Sequence, residues 1–260
     1  MKEELAIQLY QQGYSLRHIA STLHIDRKRL SNILKNTGIS IRMQNITSKQ
    51  YTCNEMFFDD INTEVKAYWM GFLAADGFIE AKLQHGAQKI GVTLSSIDKS
   101  HLEQLRQDLQ ATHPILEYRG SGYNPDGSFV KLLITSQPLV DALNKHGVTE
   151  QKTYADIHIP DIPEQNIAHF IRGYYDGNGS TTIDTRRTKD IEVRLTGNAC
   201  LLQELQQRLP YKTYFHIYRN VGELRIHGTN AKQFLSFIYP ENTSVFLQRK
   251  YDKNMKYIER

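Results

Sequence analysis

Arg27, Lys28, Arg29, Ser31, Asn32 and Lys35 fall within nine consecutive positions near the start of the chain. Arginine and asparagine can form bidentate contacts with guanine and adenine edges. Lysine and serine more often hold phosphate oxygens. Together these residue types suit contact with duplex DNA.

The elements that would position them are three short helices over residues 2–37. Leu5, Ala6, Leu9 and Tyr10 stand at helical spacing, and Gly13 breaks that first helix. Ser15 is the expected N-cap of a second helix carrying Leu16, Ile19, Ala20 and Leu23. His24 and Ile25 make a tight turn, Asp26 caps a third helix with Leu30, Ile33 and Leu34 on its apolar side, and Gly38 stops it. Helix, short turn, helix is the helix-turn-helix arrangement, whose second element enters a major groove. The plainer alternative is a three-helix bundle with a solvated basic face.

Charge distribution separates these readings. The 260 residues sum to +4. Residues 1–50 hold eight Lys or Arg against Glu3, Glu4 and Asp26, a net +5 that leaves the rest of the chain at −1. A basic head on a near-neutral body favours a polyanion-binding module, here residues 1–38. Residues 39–62 read as a linker: polar, aperiodic, and changing from basic (Arg42, Lys49) to acidic (Glu55, Asp59, Asp60). Its basic part either follows a groove in extended form or is a tether.

Several classes are excluded or disfavoured. The ten histidines form no zinc-like cluster, and Cys53 and Cys200 match neither a zinc spacing nor a disulfide framework. The glycine-rich "GSGYNPDG" lacks the Gly-Lys-Ser/Thr ending of a phosphate loop. No apolar run approaches the roughly 20 residues that cross a bilayer. Met1-Lys2-Glu3-Glu4 does not begin a secretory signal. The expectation is an intracellular, cytoplasmic protein.

The remaining residues contain an internal duplication. "AYWMGFLAADGFIE" (67–80) pairs with "HFIRGYYDGNGSTT" (169–182), with Gly71 aligned on Gly173. "KIGVTLSS" (89–96) pairs with "DIEVRLTG" (190–197), and "KLLITS" (131–136) with "ELRIHG" (223–228). Each copy reads helix, two strands, helix, two strands, helix, over residues 63–160 and 161–260. Gly71, Ala74 and Gly173 are small residues, of the kind that let two helix backbones approach closely. Gly77 and Gly179 follow as C-cap residues, where glycine takes a left-handed conformation at little cost.

These two motifs resemble those of the LAGLIDADG homing endonucleases. Trp69-Met70-Gly71-Phe72-Leu73-Ala74-Ala75-Asp76-Gly77 carries the likeness in the first copy. Ile171-Arg172-Gly173-Tyr174-Tyr175-Asp176-Gly177-Asn178-Gly179 carries it in the second. The resemblance covers roughly residues 55–258. It implies an α+β fold of two tandem pseudo-symmetric αββαββα repeats with antiparallel saddle-shaped sheets, after the all-α helix-turn-helix domain. Two motifs in one chain imply a monomer on a long asymmetric double-stranded DNA target.

The resemblance also implies a site. The last motif position is an acid that binds a divalent metal beside the scissile phosphate, and hard carboxylate oxygens suit Mg²⁺. That position is Asp76 in the first copy and Asn178 in the second; the residues just before them, Ala75 and Gly177, join the metal set. Such a metal activates water and stabilises the leaving oxygen of an in-line displacement. Asparagine offers a carbonyl oxygen but neither charge nor general-base capacity. Asp176, two residues earlier, points elsewhere and reads as structural. Three readings of Asn178 stay open: an endonuclease that nicks or cuts slowly, a decayed relative that only binds DNA, or a deliberate inactivating substitution. Lys152 and Lys250 resemble the family's basic residues beside the metals, with Lys131 a rival for the first; solvent-exposed lysines are the plainer alternative.

Sequence reading in this family falls to the outer sheet face. If Ile90, Val92, Leu94, Ile191, Val193 and Leu195 face inward, then Lys89, Thr93, Ser95, Glu192, Arg194 and Thr196 face the other way. Likewise Phe215 and Ile217 leave His216 and Tyr218, and Leu224 and Ile226 leave Arg225 and His227. Glu80, Lys82, Arg119, Arg186, Arg187 and Lys189 fall in the first strands and hairpin turns, and Tyr118 and Tyr218 are candidates to stack on sugars. An ordinary solvated sheet face is the alternative. Two other functions compete with the nuclease: a DNA-binding regulator on an inactive scaffold, separable by cleavage, and an intron RNA maturase, separable by preference for folded RNA.

Overall fold

A computed structural model describes residues 2–11, 16–37, 39, 51–81, 86–120, 125–150, 152, 157–183, 190–219 and 221–258. The chain forms two compact units, Met1–Gln50 and Tyr51–Arg260.

In the first unit α1 spans Lys2–Gln11, α2 Leu16–Leu23 and α3 Arg27–Asn36. Ala6, Tyr10, Ile19, Leu23, Leu30 and Leu34 form its core. Leu5, expected on the apolar side, is exposed instead. His24 takes a positive φ of 51° in the turn between α2 and α3. The Asp26 carboxylate then accepts from the N–H groups of Lys28 (2.8 Å) and Arg29 (3.1 Å), satisfying donors that the first helical turn leaves open. At the other end the Thr37 hydroxyl returns to the Ile33 and Leu34 carbonyls. Gly13, Ser15 and Gly38, expected to bound these helices, lie outside the described residues.

The second unit begins earlier than expected. Residues 51–62 are not linker: Phe57, Phe58 and Ile61 are buried in its core. Three large apolar side chains in an aperiodic, acidic stretch had no helical or strand pattern to reveal them.

Helix α4 (Glu64–Asp76) is followed by β1 (Phe78–Ile79), β2 (Lys89–Ser95), α5 (Lys99–Asp108), β3 (Ile115–Arg119), β4 (Ser128–Thr135) and α6 (Gln137–Lys145). The second repeat gives α7 (Ile167–Asn178), β5 (Gly179–Ile183), β6 (Ile191–Asn198), α8 (Ala199–Arg208), β7 (Tyr214–Tyr218), β8 (Val221–His227) and α9 (Gly228–Ile238). A further helix, α10 (Gln248–Ile258), closes the chain. Each repeat builds one four-stranded antiparallel sheet, in the orders β1-β2-β4-β3 and β5-β6-β8-β7. The expected αββαββα pattern is therefore present twice.

Residues Ala67 to Ala75 of α4 are all buried, as in a helix apolar on every side. It packs on α7, and glycine is required at the crossing. A methyl group on Gly71 would overlap the Phe170 carbonyl, and one on Gly173 the Tyr68 carbonyl. Gly77 and Gly179 do not take the expected left-handed conformation: their φ angles are −66° and −94°. They are glycine for lack of room. A Cβ on Gly77 would lie 2.7 Å from the Leu73 carbonyl, and one on Gly179 2.6 Å from that of Tyr175.

Strand register corrects the alignment of the two copies. Ile79 pairs with Ile90, and its counterpart Thr181 pairs with Val193. Lys89 therefore matches Glu192, not Asp190, a slip of two residues. Lys131 still matches Glu223. A period-two pattern looks the same after such a slip, so alternation alone could not fix the match.

Candidate active site

The site lies where α4 and α7 end side by side. The last turn of each helix leaves carbonyl oxygens without intrahelical partners. Two lysines fill that need. Lys152 Nζ donates to the carbonyls of Leu73 (3.0 Å), Ala74 (3.0 Å) and Ala75 (2.5 Å). Lys250, at the start of α10, donates to those of Tyr175 (2.9 Å), Gly177 (3.4 Å) and Gly179 (2.6 Å). Each cation thus sits at the negative end of one helix dipole. Burial lowers both lysines to about 8, against the pull of Asp76 on each and of Asp176 on Lys250. These are not the exposed lysines of the plainer alternative. Lys131 instead places its ammonium 4.9 Å from the Phe78 ring centre, on the outer sheet face.

Asp76 ends α4. Burial raises its pKa, and Lys152, Lys250 and Arg249 oppose that shift. A Cβ on Gly177 would come to 3.5 Å from the Asp76 carboxyl carbon, so the carboxylate stands directly against the foot of the other helix. Across the pseudo-twofold, Asn178 aims its Nδ2 at the Ala75 carbonyl, 3.5 Å away. Among the described residues no three His, Cys, Asp or Glu side chains group as a metal site.

The donors at the two feet differ. Asp76 brings an anionic oxygen, and among the described residues the Gly177 carbonyl accepts a long 3.4 Å bond from Lys250. Hard oxygen donors of this kind fit a divalent cation such as Mg²⁺. At the other foot the Ala75 carbonyl already takes Lys152 at 2.5 Å, and Asn178 brings no charge. The residues fit one cation well and a second poorly.

Asp176 faces away from this site, as its spacing predicts. It is buried and accepts from the hydroxyls of Tyr68 (2.8 Å) and Tyr239 (2.6 Å) and the Leu247 N–H (2.8 Å). Its counterpart in the first repeat is Ala74. Sequence reasoning missed two other partners. Arg172, fully buried, donates to the Ile238 and Val245 carbonyls and to Glu64 at the start of α4 (2.8 Å). Arg249, beside Lys250, donates to both carboxylate oxygens of Asp98 at 2.9 and 3.0 Å. Nothing in local spacing relates residues so far apart in the chain.

The candidate recognition residues divide by register. Lys89, Thr93, Ser95, Glu192, Arg194, Thr196, His216, Tyr218, Arg225 and His227 lie on the faces turned from the core, with Tyr118. Glu80 extends that face of β1 and pairs with Lys89 at 3.1 Å. Arg119 does not share it: it alternates with Tyr118 and lies on the side of Glu117, which pairs with Lys99 of α5 at 2.7 Å. Ile217, expected inward, is exposed, because β7 is an edge strand of which only Phe215 is half-buried. Lys82, Arg186, Arg187 and Lys189 lie outside the described residues. In the first unit Lys28, Arg29, Asn32 and Lys35 are exposed and Ser31 is half-buried. Arg29 also lies 3.7 Å from Glu3. The Arg27 side chain lies outside the description.

No helix of the described residues is long and apolar enough to cross a membrane. No protein-family model and no curated protein matches the chain. Solved structures do. A double lysine-to-alanine variant of I-SmaMI is 14% identical, with 76% of this chain and 90% of that one covered at a TM-score of 0.52. The LAGLIDADG meganuclease I-AabMI, bound to uncleaved DNA, is 14% identical, with coverage of 74% and 88% and a TM-score of 0.51. I-SmaMI on an uncleaveable DNA is 14% identical, with coverage of 74% and 89% and a TM-score of 0.52.

Proposed function

We propose, for a chain whose body has the fold of the LAGLIDADG homing endonucleases, that it is a site-specific, metal-dependent DNA endonuclease of the homing type with one strong and one weak cleaving half. The carrying observation is the unequal pair at the helix feet: Asp76, half-buried against Gly177 between two lysines, opposite the uncharged Asn178. I-SmaMI has been seen bound to cleaved DNA, and I-AabMI to uncleaved DNA. The two repeats in one chain supply both halves of such a site without a second copy, so a monomer on an asymmetric duplex suits them.

Asp76 and the Gly177 carbonyl are the residues that would hold a divalent cation. When bound, that cation activates a water and stabilises the leaving oxygen. Burial favours the neutral acid of Asp76, and Lys152, Lys250 and Arg249 favour the carboxylate that would serve as ligand. Lys152 and Lys250 neutralise the helix ends, so that a scissile phosphate meets cations there and not bare carbonyls. Asn178 cannot take up the same charge, and the strand served by that half is cut slowly or not at all. The three-helix unit acts as a helix-turn-helix module, with the basic side of α3 lengthening the DNA contact.

A second reading is favoured by Asn178 alone: a DNA-binding regulator on an inactive scaffold. Cleavage decides. A supercoiled plasmid library containing the target is incubated with the full chain and Mg²⁺, with and without chelator. Nicked product that requires metal supports the endonuclease, and its gain of linear product on Asn178→Asp supports the unequal halves. Site-selective binding with no cleavage by either chain supports the regulator.

A further inference from the structure

The outer faces of the two sheets are built from different chemistry at matched positions. In the first repeat one row runs across three strands as Phe78, Gly91 and Leu133. Its counterpart in the second repeat is Ser180, Arg194 and Arg225. The next positions along the edge strands are Leu116 in the first and His216 in the second, opposite Lys131 and Glu223.

The first row is built of apolar residues closely fitted, with the Lys131 ammonium 4.9 Å from the Phe78 ring centre. A Cβ on Gly91 would strike both the Phe78 ring and Leu133, so the missing side chain is what lets the ring lie flat across the sheet. Beside it Tyr118 stacks on Phe129 with ring centres 5.8 Å apart, and Leu116 is 48% exposed. Apolar side chains on a groove-facing sheet meet one base feature well, the thymine methyl.

The second row is ionic. Arg194 lies directly opposite Arg225, an arrangement that like charges disfavour. Two glutamates relieve it. Glu192 accepts from Arg194 at 2.7 Å, and Glu223 accepts from Arg225 at 2.7 Å while lying 3.4 Å from Arg194. Acid and base alternate along the ladder. Carboxylates hold Arg225 through its Nε and Nη2 groups and Arg194 through Nη2, while Arg194 Nε makes no hydrogen bond. Both side chains remain partly exposed, 40% for Arg194 and 37% for Arg225, and guanine O6 and N7 are the acceptors an arginine fork fits.

We infer that the two sheets read base pairs of different composition: the first repeat takes a thymine-rich half-site through the Phe78–Gly91–Leu133 row, and the second a guanine-bearing half-site through Arg194 and Arg225. This rests on the reading of the body as a DNA endonuclease and adds what its target contains.

The test is selection of bound duplexes from a randomised DNA library by the full chain in calcium buffer, followed by base replacement in the selected site. Replacing thymine by uracil removes only the methyl group. It weakens binding about fourfold per contacted methyl, the equivalent of roughly 0.8 kcal/mol, and does so in one half only. Leu133→Ser abolishes that sensitivity and so assigns the half to the first repeat. Arg194→Ala and Arg225→Ala each lower the preference for guanine in the other half by about tenfold or more. A selected site whose uracil form binds equally well, or whose guanine preference survives both arginine variants, overturns the inference and leaves the endonuclease reading standing. Selection of no sequence at all overturns both.

Discussion

The side-chain amide of Asn178 faces the Ala75 carbonyl at 3.5 Å, in the place where a second carboxylate would make the helix feet symmetric. Every other part of the arrangement is paired: glycine with glycine at the crossing, lysine with lysine at the carbonyls. The difference in charge between the two motif-end positions comes from this one side chain.

Restoring the acid should restore the half. With Asn178→Asp, the ratio of linear to nicked plasmid rises, because the second foot gains an anionic ligand. Asp76→Asn in the otherwise unchanged chain removes the one acid at the two motif-end positions, and cleavage falls by about 10²-fold or more. Gel analysis of supercoiled substrate measures both. An unchanged product ratio in Asn178→Asp sinks the assignment of that position.

Lys152 should report on Asp76. Burial holds the lysine at about 8, while Asp76 pulls it upward. Asp76→Asn removes that pull, so the lysine titrates lower still, as followed by carbon-13 NMR of its Cε. The same shift appears in stability. An unfolded lysine titrates near about 10.4, so between 8 and that value the unfolded chain binds more protons and stability rises with pH. Lys152→Met flattens this part of the rise in denaturation experiments between pH 8 and 10.

The helix crossing admits no methyl group. Gly71→Ala or Gly173→Ala drives a Cβ into the facing backbone carbonyl, which cannot rotate away as a side chain can. The cost is about 1–3 kcal/mol of stability or more, read as a fall in Tm. An unchanged Tm for both variants means that the helices are not this close.

Asp176 holds its network without touching the site. Asp176→Ala leaves the Tyr68 and Tyr239 hydroxyls and the Leu247 N–H buried without this acceptor. The Tyr68 hydroxyl keeps His101 Nε2 at 3.0 Å, so the loss falls on the other groups, at about 1–3 kcal/mol for one left without any partner. Thermal unfolding should show the loss, and Asp176→Asn, which keeps a carbonyl oxygen, should lose less.

In the first unit, Lys28→Ala and Lys35→Ala should weaken binding to all duplexes alike, each lowering the slope of log affinity against log salt by about one. Asn32→Ala should instead relax preference at one base pair. Salt titrations on matched and scrambled duplexes separate these outcomes, and no change in slope removes α3 from the interface.

Much of this was legible in the sequence, and the failures have physical reasons. Helix punctuation revealed the three-helix unit because Asp26 and the apolar spacing act locally. The duplication located the paired motifs that end at Asp76 and Asn178 because motif residues repeat at a constant offset, and the family resemblance pointed to Lys152 and Lys250. Phe57, Phe58 and Ile61 were hidden because their burial depends on a core assembled from distant segments. Gly77 and Gly179 were located correctly and explained wrongly: crowding, not backbone angle, requires them. The Glu192–Arg194–Glu223–Arg225 ladder could not be read, since it needs a register that alternation leaves free by two residues.

The reciprocal glycine contact carries an evolutionary consequence. It is a place where each repeat must fit the backbone of the other, so a change in one is felt by its twin. The outer sheet faces carry no such obligation. Joining two copies in one polypeptide therefore lets each surface diverge on its own lineage of changes, and a chain that began with two equal halves can come to recognise unequal ones.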